Sequence, residues 1–155
     1  MVRKTRNYNY KSARPVQPTG STSLFKLFKS KDASIADGLA QPQREAIVDL
    51  LHYCLYADGH IAVAEGKVID SFVTTLNGDP NTGFSNYEAK SISNARFARE
   101  DDEFRGEFLE SIRLRINSES VRKTALGVVR ELMASDGVKT DAEEAILATV
   151  RKLFV

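Results

Sequence analysis

The sequence predicts an all-α, single-domain bundle of about six to seven helices built around an internal helix–acidic turn–helix repeat. Three observations carry that prediction. Tyr56-Ala57-Asp58-Gly59, followed by Glu65, recurs 78 residues later as Ala134-Ser135-Asp136-Gly137, followed by Glu143. Apolar residues flank both copies at matching helical positions. Before the turns, Ile47, Leu50, Leu51, Cys54 and Leu55 match Ala125, Val128, Val129, Leu132 and Met133; after them, Val68, Ile69 and Phe72 match Ile146, Leu147 and Val150. Finally, no segment carries the alternating β-branched pattern of a strand.

Residues 1–20 mix Asn, Ser, Thr, Gln, two prolines and basic groups with no apolar period, which predicts a flexible arm. The domain is expected over residues 21–155. Within it, residues 22–30 suit a short amphipathic helix offering Leu24, Phe25, Leu27 and Phe28 either to the domain or to a membrane surface. The first long helix is predicted from Pro42 to Ala57, because proline suits a helix's first turn. Asp58-Gly59 ends it, glycine supplying the left-handed residue after a helix. A second helix follows from Val63 to Leu76, then the turn-rich loop Asn77-Gly78-Asp79-Pro80-Asn81-Thr82-Gly83. Helices over Ser85–Arg99 and Glu103–Ile116 fill the middle, the latter with an apolar stripe of Phe104, Phe108, Leu109 and Ile112. The last pair, Glu119–Ala134 and Asp141–Phe154, repeats the first, and Thr140 with Glu143 fits a capping box.

Composition narrows the functional classes. The single cysteine, Cys54, lies on an apolar helical stripe, which predicts a buried structural thiol in a reducing compartment. No apolar run approaches a membrane span, and no signal-type apolar core follows the charged N-terminus, so a cytoplasmic location is expected. The net charge of +1 conceals an asymmetry: residues 1–31 hold eight Lys/Arg and no acid, leaving a net of −7 on the remaining 124 residues. A basic arm on an acidic body suits contact with an anionic membrane at the inner face. Nucleic acid is a weaker expectation, since the acidic body repels phosphate although Tyr8 and Tyr10 are interleaved with basic groups. Enzyme signatures are absent from the sequence: the two histidines, His52 and His60, form no His-Glu-x-x-His pair, and there is no nucleophile elbow or phosphate loop.

The acidic turns carry the chemistry. In an EF-hand loop the glycine at position 6 precedes a bidentate glutamate at position 12. Gly59 to Glu65 and Gly137 to Glu143 reproduce that step, with Asp58 and Asp136 at position 5. Positions 1 and 3 fall on the apolar Cys54 and Tyr56, or Leu132 and Ala134, so neither turn alone is a calcium loop. Pooled, Asp58, Glu65, Asp136, Glu143, Asp141 and Glu144 would offer oxygen donors suited to calcium, magnesium or manganese. The alternative is helix punctuation, with each Asp-Gly stopping one helix and each glutamate capping the next. The loop after the second helix offers a weaker set in Asn77, Asp79, Asn81 and Glu88.

The segments YADGHIAVAEGKVIDSF (56–72) and LMASDGVKTDAEEAILATVRKLF (132–154) resemble the two signature turns of the tellurite-resistance TerB-like family. That pattern is an apolar helix ending in A-x-D-G, a short turn and a glutamate opening the next helix, once near each end of the domain. The resemblance spans roughly residues 42–155. It implies an all-helical bundle of the kind also found in a membrane-anchored J-domain co-chaperone, and an association with tellurite and other stress resistance. It also implies a metal-linked site at Asp58, Glu65, Asp136 and Glu143. The expectation is therefore a non-enzymatic domain binding a divalent cation or a protein partner through paired acidic turns. The alternative is a peripheral binder of anionic membrane or nucleic acid acting through the arm.

Overall fold

A computed structural model of the chain describes residues 38–57, 59, 63–76 and 84–155. The predicted arm, the segment 22–30, Asp58, His60 and the loop 77–83 lie outside the described residues. Among the described residues, six helices run α1 Gln41–Ala57, α2 Val63–Leu76, α3 Phe84–Glu100, α4 Asp102–Arg115, α5 Glu119–Ala134 and α6 Asp141–Leu153. Among the described residues there is no strand, so the all-α bundle holds. Each predicted boundary falls within one residue of the observed one.

The helix starts follow from local chemistry. Asp101 accepts the Phe104 amide at 2.8 Å and opens α4. Ser118 caps α5 by accepting from the Val121 amide. Thr140 opens α6 with a complete capping box: its hydroxyl accepts the Glu143 amide while Glu143 Oε2 accepts the Thr140 amide at 2.8 Å. Such side chains satisfy amides that a helix start leaves without intrahelical partners.

Helix α1 is the axis of the fold and touches each of the other five helices. The expected stripe at 47, 50, 51, 54 and 55 is buried, but so is every other residue from Ala46 to Leu55. A helix apolar on nearly all sides belongs inside, and α1 is enclosed by its neighbours. In α4, Phe108, Leu109 and Ile112 are buried, whereas Phe104 stays partly exposed, meeting Phe97 edge-on at 4.8 Å.

The internal repeat is structural. The hairpins α1–α2 and α5–α6 pack together through α1 against α5, α2 against α5, and α1 against α6. Exchanging α1 with α5 and α2 with α6 leaves that set of contacts unchanged, as a pseudo-twofold relation requires. Helices α3 and α4 pack on each other and against α1. They interrupt the repeat and break its equivalence.

Candidate functional site at the acidic turns

The two turn glycines share one backbone conformation. Gly59 and Gly137 have φ of +74° and +73°, and each donates its amide to a carbonyl three residues earlier, Tyr56 or Ala134, at 3.2 Å. That left-handed conformation is where glycine is cheapest and other residues are strained. The glutamates that follow at matching positions, Glu65 and Glu143, are 7% and 5% exposed, buried at the first turns of α2 and α6.

Of the six predicted site residues, five are described. Glu143 closes the capping box of α6. Asp136 Oδ1 accepts the Val138 amide at 2.9 Å, which folds the turn on itself. Glu144 pairs with Lys139, whose ammonium holds the Glu144 carboxyl below its usual range. Asp141 is exposed in the first turn of α6, and Glu65 is buried in that of α2. Three of these carboxylates thus serve their own backbone or a neighbouring lysine. Among the described residues, no three His, Cys, Asp or Glu side chains gather as a metal-ligand set.

The surroundings of the turns differ. A Cβ added to Gly59 would lie 2.5 Å from Arg99 Nη2, so the α3 guanidinium covers that face of the first turn. One helical turn earlier, Arg96 stacks over the Tyr56 ring at 4.9 Å, a cation–π contact that fastens α3 to the end of α1. Nothing lies within 4 Å of a Cβ added to Gly137. Beside it opens a pocket of about 230 Å³ whose apolar lining comes from Met133, Ala134, Val138 and Leu147, with the charged Arg130, Lys139, Glu143 and Glu144 also lining it. Val138, 58% exposed, stands at its edge.

A second polar constellation went unpredicted. Asp49, buried within α1, accepts from Tyr87 Oη at 2.6 Å and Arg115 Nη2 at 2.6 Å through its Oδ2. Arg115 Nη1 also donates to Tyr87 Oη at 3.0 Å, closing a triangle across α1, α3 and α4. One turn along α1, His52 Nδ1 lies 2.9 Å from Ser91 Oγ. Burial depresses the His52 pKa to about 4, against smaller opposing effects of Asp49 and Asp70. Burial likewise raises the Tyr87 phenol and the Cys54 thiol, leaving Cys54 protonated and unreactive at neutral pH. The signal for this network was present in the sequence. Asp49 and His52 are one turn apart in a run that is otherwise apolar on every side, and buried polar groups need partners.

The chain matches no protein-family model, no curated protein and no solved structure. Among the described residues, no helix is long and apolar enough to cross a membrane.

Proposed function

We propose that this chain is a non-enzymatic, TerB-like interaction domain of the stress-resistance type, and that it recognises a protein partner at its second acidic turn. The observation that carries the reading is the difference between the two turn glycines: Arg99 covers Gly59, whereas Gly137 opens onto a largely apolar pocket. At about 230 Å³ the pocket is smaller than the roughly 300–1,000 Å³ of small-molecule sites. It suits one side chain better than an organic cofactor, since even a cavity of about 150 Å³ accepts a benzene ring. Aromatic anchors in small desolvated pockets are the usual hot spots of protein interfaces.

The divalent-cation form of the reading rests on the acidic pair Asp58 and Asp136, with Glu65, Glu143, Asp141 and Glu144 around them. It is secondary, because Glu143, Asp136 and Glu144 already have intramolecular partners. Two titrations of the full chain followed by amide NMR separate the forms. Short amphipathic peptides bearing one aromatic residue should shift the Gly137, Val138, Lys139 and Leu147 amides, and Val138→Glu should abolish the response. No response to any such peptide, or an undiminished one in the variant, overturns the pocket's role. Calcium should instead shift the Gly59 and Gly137 amides if a cation binds, and the response should vanish in the Asp58→Ala, Asp136→Ala double variant. Calcium that moves neither glycine removes the cation form.

A further inference from the structure

The repeat that equates α1 with α5 also equates the faces the two helices present. Along one face of α1, Asp49, His52 and Tyr56 meet three side chains of α3 in turn. Tyr87 donates to Asp49 at 2.6 Å, Ser91 Oγ lies 2.9 Å from His52 Nδ1, and Arg96 stacks over Tyr56 at 4.9 Å. Arg99 then closes over Gly59. The repeat partners of those four positions are Gly127, Arg130, Ala134 and Gly137. Among the described residues, no helix takes the place of α3 there. Arg130, Ala134 and Gly137 are exposed and Gly127 is half-buried, whereas Asp49 and His52 are each 2% exposed. Arg130, Ala134 and Gly137 line the open pocket, the counterpart of the space that Arg96 and Arg99 fill in the first half of the fold.

We infer that this face of α5 receives one amphipathic helix of a protein partner, laid as α3 lies on α1. Its aromatic side chain fills the pocket, and a carboxylate one turn away pairs with Arg130. The inference rests on the pocket's role proposed above and specifies the form and chemistry of the occupant.

The differences between the two faces set that chemistry. On α1 the Tyr56 ring is supplied by the helix itself and α3 brings the cation over it. On α5 Ala134 stands at that place, so the ring comes from the occupant. Gly127 and Ala134 put little side chain between α5 and an incoming helix, and helix axes approach more closely where the contacting side chains are small. Most charged groups around the pocket are already committed. Glu143 closes its own capping box, and Glu144 pairs with Lys139. Arg130, and Arg151 near enough to Glu144 to act on its carboxyl, form no salt bridge among the described residues. The uncommitted charge along the groove is therefore positive, which favours a carboxylate opposite Arg130. Recognition of a helix in a groove uses anchors at such one-turn spacings.

The probe is a stapled helical peptide of about 15 residues carrying glutamate and phenylalanine at positions i and i+4. Added to the full chain, it should shift the amides of Gly127, Arg130 and Ala134 together with that of Gly137. Replacing the peptide's glutamate by lysine should weaken binding about tenfold, and Arg130→Glu in the protein should restore it. A Cβ at Gly127 meets nothing within 4 Å, so Gly127→Gln leaves the fold intact while obstructing the groove. That variant should also lose about tenfold in affinity for the helix, yet still admit a short single-aromatic peptide at Gly137. Equal binding of the glutamate and lysine peptides, or unchanged affinity in Gly127→Gln, overturns the helix site. If short aromatic peptides move the Gly137 amide while the stapled helix leaves Gly127 unmoved, helix docking fails and the pocket's role stands. If neither probe moves Gly137, both fall. Shifts of the same amides with protein concentration alone assign the face to a second copy and likewise overturn the inference.

Discussion

Arg115 Nη2 lies 2.6 Å from Asp49 Oδ2, and this bond joins the C-terminal end of α4 to the buried middle of α1. The Asp49 side chain is 3% exposed and that of Arg115 23%, so the carboxylate is nearly dry while the guanidinium retains some water. Desolvation makes such a pair a poor source of net stability, yet removing one partner strands the other's charge.

Arg115→Met should therefore destabilise the fold by about 3–5 kcal/mol, because Asp49 keeps its burial and loses its cation. Adding Asp49→Leu should recover much of that loss, since an apolar pair no longer strands a charge. Urea unfolding of the two single variants and the double variant measures the coupling. Additive losses in the double variant would show that the pair acts independently.

His52 sets an acid limit on stability. With its folded pKa near 4 and an unfolded value of about 6.5, the unfolded chain binds more protons between those pH values. The stability linked to neutral His52 is complete above about pH 6.5 and declines as pH falls towards 4, by about 3 kcal/mol in all. Comparing urea midpoints of the native chain and His52→Asn at pH 7.5, 6 and 5 isolates this contribution. The native chain should lose more stability over that range than the variant.

The two turn glycines should respond unequally to alanine. At Gly137 the cost is backbone strain alone, about 1–2 kcal/mol, because space for a Cβ is open. Gly59→Ala carries similar strain and must also push Arg99 aside. Thermal unfolding should rank Gly59→Ala below Gly137→Ala, and the contact between Arg96 and Tyr56 should loosen only in the former.

Within α4, Gly106 is exposed, has a helical backbone and meets nothing within 4 Å of an added Cβ. Replacing it with alanine should stabilise the chain by about 0.5–1 kcal/mol through helix propensity and a less flexible unfolded state. A rise in the urea midpoint without a change of slope is the expected readout.

Much of the fold was legible because it depends on local rules. A 3.6-residue apolar period, Asp-Gly terminators and the Thr140–Glu143 capping box act over one or two helical turns. Helix ends could therefore be placed from the residues beside them. The candidate site was legible only in part. The repeat spacing identified Gly59 and Gly137 as equivalent, and their φ values differ by only 1°. What surrounds each turn depends on α3, a helix outside the repeat, and no spacing rule near Gly59 announces that Arg99 will cover it.

The sequence by itself determined the helices, the duplicated turn and the left-handed glycines, since these follow from backbone sterics and short-range periodicity. Only the tertiary structure decided that α1 would be enclosed, that Asp49 and His52 would be core residues, and that one acidic turn would be covered and the other open. The physical reason is that burial and charge pairing are set by residues far apart in the chain. Asp49 meets Arg115 across 66 positions, and such a meeting exists only once the helices have packed.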